Sequence, residues 1–308
     1  MFIKSYSDIQ QNLAEACKWA GIIQGRANDY QKHLEQLHVE NSKSREALLC
    51  IADLMDILDI YETWKVNDNN FPGIRDRIRE VIEKGPILPE EENIEIADNR
   101  ARNDLFVYLF AGKLIQAGVQ VLSIDGITGD NYRTISHGDI VSTFQNEEIA
   151  IECKRPQKPT TIDSCARKAW TQIQKSGRKG CMALDCSKAI HPPGTLLDFS
   201  NDDEARNTLL DQIEIDIVPK IKSHLNQNVF GAFLMVSVPG MKNFKESAIL
   251  SSNGTPFKQY TPFRVSTMLV ASNERIGEKH PFMKWVFNRL KSSQGPFGFL
   301  EQRRETNP

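Results

Sequence analysis

The residue types best suited to chemistry lie between Asp139 and Lys154. Asp139 begins one segment of strand formers, and a second strand-like segment ends in Glu152, Cys153 and Lys154. Hard cations such as Mg²⁺ and Mn²⁺ prefer oxygen ligands, and Mg²⁺ usually takes one or two carboxylates together with water and phosphate oxygens. Two carboxylates and a lysine in this arrangement predict a divalent-metal site that cuts a phosphodiester, because the metal would polarise the phosphate and lower the pKa of a bound water.

The two strands that carry these residues must pair in one register. From Glu148 to Lys154 the chain alternates, which places Glu152 and Lys154 on the same face of the strand. If Gln145-Asn146 forms a two-residue hairpin loop, counting outward from the loop places Asp139 opposite Glu152. A slip of one residue would turn one carboxylate to the other face, so the prediction depends on the length of this loop.

Asp139 followed by Glu152-Cys153-Lys154 at the end of an apolar strand resembles the PD-(D/E)XK nuclease superfamily, over roughly residues 95 to 190. In that family one helix precedes the hairpin, and another follows it and leads to a further strand. The segments Arg100–Gly118, Ile162–Lys175 and Cys181–Cys186 fit these three places. The resemblance implies an α/β fold with a restriction-endonuclease-like αβββαβ core and a mixed central sheet, preceded here by an N-terminal helical region.

The same resemblance implies a role for each residue of the motif. Asp139 and Glu152 would bind Mg²⁺ (or Mn²⁺) together with the backbone carbonyl of Cys153. Lys154 would assist the attacking water or stabilise the transition state. Gln172 lies where related nucleases often carry a glutamine near the site, and is included among the catalytic candidates, with a buried structural amide as the alternative.

Two positions differ from the family pattern. The leading helix commonly carries a metal-site glutamate just after an aromatic residue, whereas this chain has Phe106-Val107-Tyr108 and Asp104 is the nearest substitute. His137-Gly138 stands where a proline usually precedes the aspartate. The alternative to a nuclease is therefore a catalytically inactive module of the same fold that binds nucleic acid or a partner protein.

Basic residues are concentrated around and just after the motif. The whole chain is nearly neutral, with 38 Lys and Arg against 40 Asp and Glu, but residues 151 to 180 contain eight basic side chains against Glu152 and Asp163. Such a local excess predicts contacts with the phosphates of a nucleic acid, for which we expect DNA rather than RNA. The predicted nucleic-acid-binding residues are Arg155, Lys158, Arg167, Lys168 and Lys175.

A chain of 308 residues is longer than a minimal nuclease core. We expect residues 1–85 to be a helical region for assembly or regulation and residues 86–308 to be the nuclease domain, with Gly85–Asn93 as the linker. An apolar stripe between Leu48 and Tyr61 predicts a core-facing helix. A homodimer formed through these helices, and a sensor arm that controls the nuclease, are the alternatives for this region.

The remaining segments predict further layers around the sheet. Asn201–Gln227 is expected to be one long helix, and Val229–Val238 a buried strand ended by a turn at Pro239-Gly240. Another strand is expected at Phe263–Ala271 and a last helix at residues 280 to 292.

The composition predicts the cellular location of the protein. There is no run of 18 apolar residues and no signal-like start, so we expect a soluble, cytoplasmic protein without a membrane partner. The six cysteines have no Cys-x-x-Cys spacing, which argues against a zinc site or a disulfide framework.

Overall fold

The computed structural model of the protein describes residues 6–22, 28–32, 35, 45–84, 100–129, 138–191, 197–199, 202–243, 260–272 and 280–292. The helices are α1 Tyr6–Ala20, α2 Arg45–Trp64, α3 Ile74–Lys84, α4 Arg100–Gln116, α5 Ile162–Ser176, α6 Ser187–Ile190, α7 Asp202–Gln212, α8 Val218–Lys222 and α9 Pro281–Ser292. The strands are β1 Gln120–Ile124, β2 Ile127–Thr128, β3 Ile140–Phe144, β4 Glu147–Lys154, β5 Lys179–Asp185, β6 Leu197–Phe199, β7 Val229–Asn243 and β8 Tyr260–Ser272.

These strands form one mixed sheet of eight strands, so the predicted α/β class is confirmed. Strands β1, β3 and β4 are antiparallel neighbours, and β5 then lies parallel to β4 and β7 parallel to β5. Strand β8 pairs with β7 along most of its length, while β6 pairs with the second half of β7. Strands β1 and β2, which the sequence analysis did not predict, form a hairpin. Its turn is Asp125-Gly126, and both of these residues have positive φ.

The hairpin between β3 and β4 has the predicted two-residue loop. Phe144 lies opposite Glu147, and Gln145 and Asn146 have φ of 52° and 67°. Positive φ at both central residues is the requirement of a type I′ turn, whose twist matches that of the flanking strands. Pairing runs outward from the loop to Ile140 opposite Ile151, one position short of the two carboxylates.

Alternation along the strands divides the core into two parts, one on each face of the sheet. Ile149, Ile151 and Cys153 of β4 belong to the cluster that includes buried residues of α1 to α4 and α9. Met182 and Leu184 of β5 belong to the other cluster, with α5, α7 and α8. The sheet is therefore covered by helices on both faces, and its two ends are where side chains of the strands can reach solvent.

The N-terminal helices share the first of these clusters with the sheet. Helix α2 contacts α4, β7 and β8, and α3 packs on α4. Ile57, Leu58 and Tyr61 of the apolar stripe are buried there, as predicted, whereas the side chains before Leu54 and the proposed linker Gly85–Asn93 lie outside the described residues. A homodimer through these helices stays a prediction.

A buried ion pair joins the N-terminal helices to the helix that supports the sheet. The Lys113 ammonium on α4 lies 3.1 Å from Asp59 Oδ2 on α2, and both side chains are 5% exposed. Burying only one of these two charges would be costly, so the ion pair favours the register of α2 and α4 that keeps Lys113 and Asp59 in contact.

Of two predictions about the C-terminal half, one was confirmed except at its end and one was wrong. The helix predicted over Asn201–Gln227 runs from Asp202 to Lys222, because α7 ends at Gln212, a π-helical turn follows over Ile213–Ile217, and α8 continues to Lys222. Pro219 explains the interruption, because its ring removes a backbone donor and clashes with the preceding turn. Pro239-Gly240 is not a turn, since β7 continues to Asn243 with partners in β6 and β8.

None of the helices in the described ranges is long and apolar enough to cross a membrane.

Candidate functional site

Four residues of the predicted motif meet at the C-terminal end of β4. The Lys154 ammonium donates to Asp139 Oδ2 at 3.0 Å, to Glu152 Oε2 at 2.9 Å and to the carbonyl of Cys153 at 3.0 Å. The backbone N–H of Cys153 also donates to Asp139 Oδ2, at 2.8 Å. The hairpin register therefore brings together the three oxygen groups that the sequence analysis assigned to a metal, and all three lie about one nitrogen atom.

The strands around β4 explain why this cluster is partly enclosed. β4 lies between β3 and β5, and the carboxylate of Glu152 is only 1% exposed, whereas Asp139 is 26% and Lys154 19% exposed. Gly138 precedes the aspartate with a φ of 151°, and a Cβ at this position would lie 3.4 Å from Glu152 Oε1. A glycine lets the chain enter β3 directly against the carboxylate, where a larger residue would be strained.

Burial and charge set the protonation of the cluster. Burial and, after it, the charge of Asp139 raise the pKa of Glu152, the contact with Lys154 only partly opposes the two, and the net pKa is about 7. Burial alone would lower the pKa of Lys154, but the two carboxylates outweigh it and raise that pKa. Near neutral pH Glu152 therefore exchanges between its protonated and ionised forms, and added positive charge would favour the ionised form.

These donors fit a hard divalent cation. Two carboxylates and one backbone carbonyl are the oxygen ligands that Mg²⁺ and Mn²⁺ prefer. Burial, followed by the charge of Asp139, raises the pKa of Glu152, and a bound cation would favour its ionised form. Across the described ranges, however, no group of three or more His, Cys, Asp or Glu side chains is placed to hold a metal. Any ion here would take its remaining ligands from water and substrate.

Sequence reasoning missed one acidic residue beside the site. The backbone N–H of Asp125 donates to the carbonyl oxygen of Asp139 at 2.8 Å, and the Tyr108 hydroxyl lies 3.5 Å from Asp125 Oδ2. Burial raises the pKa of Asp125, the Arg77 guanidinium lowers it, and the charge of Asp139 raises it. The Asp-Gly pair between two apolar segments was the available signal, since it is a strong hairpin motif. Asp104, which the sequence analysis named as the nearest substitute for the metal-site glutamate of the leading helix, interacts electrostatically with Tyr108.

Helix α5 begins near the site and carries several of the other candidates. Burial raises the pKa of Cys165, while the charges of Lys168 and Lys154 lower it, so this part of the helix faces the cluster. Gln172 lies two turns further along, is exposed, and makes no hydrogen bond with the described site residues. The structure therefore does not bring Gln172 into the cluster.

The predicted nucleic-acid-binding residues separate into two groups. Lys158, Arg167, Lys168 and Lys175 are exposed on or just before α5. Arg155 is different, because its side chain is 5% exposed and its Nε donates to Asp185 Oδ2 at 2.8 Å. Its position corrects the prediction that it contacts a nucleic acid, since a buried, paired guanidinium cannot reach a ligand without breaking the pair.

The Arg155–Asp185 pair instead connects the ends of two parallel strands. Asp185 at the end of β5 also accepts a hydrogen bond from the backbone N–H of Ser187 at 3.0 Å, and Ser187 Oγ accepts one from the backbone N–H of Ser237 at 2.8 Å. These contacts hold β4, β5 and β7 together next to Lys154.

Comparison with protein-family models, curated proteins and solved structures finds no match for this chain.

Proposed function

We propose that the protein is a divalent-metal-dependent nuclease of the PD-(D/E)XK type, hydrolysing phosphodiester bonds of DNA rather than RNA, most simply as an endonuclease. The observation that carries the proposal is the convergence of Asp139, Glu152 and the Cys153 carbonyl on the Lys154 ammonium, all within 3.0 Å. The Lys154 ammonium already occupies the point where these oxygens meet, and burial together with the charge of Asp139 keeps the pKa of Glu152 raised despite that contact.

The order of elements around this cluster supports the same proposal. Helix α4 precedes β1, β3 and β4, and α5 then leads to β5 in parallel with β4, with only the two-residue strand β2 added. This succession supports assignment to the αβββαβ core of a restriction-endonuclease-like fold, in which the aspartate would stand at the start of the second main strand and Glu152 and Lys154 at the end of the third.

Each residue has a separate role in such a reaction. Asp139, Glu152 and the Cys153 carbonyl would hold Mg²⁺ or Mn²⁺, which would polarise the scissile phosphate and lower the pKa of a bound water. Lys154 lies within 3.0 Å of all three groups, so its ammonium can orient the attacking water or offset the charge that grows on the phosphate oxygens.

The exposed basic residues of α5 account for binding of the substrate. Lys168 and Lys175 are seven residues apart and lie on one side of the helix, which also carries Cys165 beside the site. A row of ammonium groups leading away from the cluster would follow the phosphate backbone without reading its sequence, and binding should weaken steeply as salt is added.

The test is cleavage of supercoiled plasmid, single-stranded DNA and RNA in EDTA, Mg²⁺ or Mn²⁺. We expect metal-dependent cutting by the wild type, and its loss in Asp139→Asn, Glu152→Gln and Lys154→Ala. Glu148→Gln is the matched control, because Glu148 is an exposed carboxylate on the same strand that pairs with Arg178. Unchanged cleavage in all three site variants would exclude the assignment.

One observation favours the second candidate, an inactive nuclease fold that binds nucleic acid or a partner protein. The three oxygen groups are already satisfied by Lys154, and an internal ion pair can replace a metal. This alternative predicts that Mg²⁺ does not change the melting temperature and that nucleic acid binds equally well in EDTA. A metal-dependent thermal shift that Glu152→Gln abolishes would contradict it.

A further inference from the structure

The last residues of β4 carry the candidate site but pair with a neighbouring strand on one side only. Pairing with β3 stops at Ile151, and beyond this point the backbone N–H of Cys153 donates to the Asp139 carboxylate rather than to a strand carbonyl. On the other side, pairing with β5 continues to Lys154. Because the ends of strands open more readily than their centres, the backbone that carries Lys154 needs a further contact to stay in place.

Arg155 makes the next contact along the chain. Its Nε donates to Asp185 Oδ2 at 2.8 Å, and Asp185 directly follows Leu184, the residue that pairs with Lys154. The ion pair therefore lies one step beyond the last backbone pair of β4 and β5. Pro156 comes next and has no backbone N–H to donate to a neighbouring strand, so a side-chain contact takes over where the backbone ladder ends.

The ion pair lies on the opposite face of the sheet from the Lys154 side chain. Arg155 continues the alternation of Cys153, and Asp185 continues that of Ala183, and both Cys153 and Ala183 belong to the core that includes residues of α1 to α4. The Arg155 side chain is buried there. Arg155 therefore does not reach the groups around the Lys154 ammonium, and it can act on them only through the backbone of β4.

The carboxylate that receives Arg155 is itself held in place by β7. The backbone N–H of Ser187 donates to Asp185 Oδ1 at 3.0 Å, and the Ser187 hydroxyl donates to the same oxygen. The Ser187 oxygen in turn accepts from the backbone N–H of Ser237 on β7 at 2.8 Å. Asp185 cannot shift without breaking these contacts, so Arg155 attaches the end of β4 to a fixed point.

We propose that Arg155, through its pair with Asp185, is a positioning residue for the Lys154 ammonium. This inference rests on the proposed nuclease function and deepens it. The three oxygen partners of the ammonium lie 2.9 to 3.0 Å away, which leaves little room for movement of the strand end. In enzymes, a misplacement on the order of 1 Å can cost about a hundredfold in rate.

A matched ion pair joins the same two strands at their other end. Arg178, just before β5, donates its Nε to Glu148 Oε2 near the start of β4 at 2.7 Å. Arg155→Lys and Arg178→Lys keep the charge and lose the guanidinium, but only the first changes the end of β4 that carries the site. Asp185→Asn and Ser187→Ala weaken the same network without altering Arg155.

Hydrogen exchange of the full chain in EDTA, followed by mass spectrometry, measures opening of the end of β4. We expect peptides that cover residues 150–156 to exchange about tenfold faster in Arg155→Lys and Asp185→Asn than in the wild type, and at the wild-type rate in Arg178→Lys. This measurement uses neither metal nor substrate, so it tests the contact separately from the nuclease activity.

Cleavage of labelled duplex DNA, well below the melting temperature of every variant, gives the kinetic test. We expect Arg155→Lys and Asp185→Asn to lower kcat about tenfold, Ser187→Ala to lower it less, and Arg178→Lys to leave it unchanged. KM and the salt dependence of DNA binding should stay at the wild-type values, because none of these residues touches the substrate. A merely structural contact would lower the melting temperature and leave kcat of the folded protein unchanged.

Three results would overturn the inference. Equal kcat values for Arg155→Lys and Arg178→Lys would show that the contact does not position Lys154. A fall in kcat without faster exchange at the end of β4 would show that Arg155 acts by another route. A raised KM with a reduced salt slope would show that Arg155 contacts the substrate itself. If the wild type cuts no nucleic acid in either metal, the proposed function fails and the inference fails with it.

Discussion

Replacing Glu152 by glutamine should make the metal-free protein more stable while it abolishes cleavage. The carboxylate is buried beside Asp139, and its pKa rises from 4.5 to about 7. At about 1.4 kcal/mol for each tenfold change, ionisation of this group costs the folded state about 3 kcal/mol. Glutamine has nearly the same shape, keeps an oxygen that can accept from Lys154, and carries no charge, so most of this cost should disappear.

The sign of the pH dependence follows from the raised pKa. Between pH 4.5 and about 7 the folded protein holds the proton of Glu152 more tightly than the unfolded chain, so the free energy of unfolding falls as pH rises through this window. Below the window both states are protonated and the contribution vanishes. The advantage of Glu152→Gln should therefore be near zero at the acidic end and reach about 2 to 3 kcal/mol above pH 7.

The assay is urea denaturation in EDTA, at several pH values from about 4.5 to about 8, for wild type, Glu152→Gln and Glu148→Gln. The control replaces an exposed carboxylate of the same strand and should change stability by less than about 0.5 kcal/mol, with little pH trend. Addition of Mg²⁺ should then stabilise the wild type and not Glu152→Gln. A Glu152→Gln variant that is no more stable than wild type above pH 7 would refute the electrostatic account of the site.

Three further predictions test the structure. Arg155→Ala should lower stability by about 2 kcal/mol because it leaves the partly buried Asp185 without its main partner, yet leave the salt dependence of DNA binding unchanged. Lys168→Ala should leave stability unchanged and reduce the salt dependence of binding, so urea denaturation and anisotropy separate the two variants. Asp59→Ala should cost about 3 to 5 kcal/mol in urea denaturation by removing the carboxylate that the buried Lys113 ammonium contacts, and the double variant Asp59→Leu with Lys113→Met should recover most of this loss; a double variant as unstable as the single one would contradict the pairing. Gly180→Ala should cost more than about 4 kcal/mol or prevent folding, because the added Cβ would lie 2.1 Å from the carbonyl oxygen of Ala150 on the neighbouring strand, and circular dichroism would show the loss.

The core of the candidate site could be predicted because it depends on local rules. The alternation of side chains along β4 determined that Glu152 and Lys154 share a face. The two-residue loop at Gln145-Asn146 determined the register that puts Asp139 beside Glu152. These are interactions between residues less than 20 positions apart, where turn geometry and strand period leave few choices.

Other predictions were wrong because distant partners overrode local preferences. Arg155 resembles its basic neighbours in sequence, and only Asp185 on the adjacent parallel strand makes it a buried, structural residue. Pro239-Gly240 has the composition of a turn, yet β6 and β8 pair with this part of β7 and keep it extended. Asp125 was not predicted at the site because the sequence analysis did not locate the β1–β2 hairpin, whose turn contacts Asp139.

The sequence by itself determined which residues could do chemistry and how the hairpin aligns them, because side-chain period and turn type are properties of a few neighbouring residues. Only the tertiary structure decided how charged they are and what surrounds them. The pKa of Glu152 depends on burial between two strands, and the burial of Arg155 depends on its pairing with Asp185 on another strand. Desolvation and long-range pairing exist only once the layers have assembled, and no local pattern encodes them.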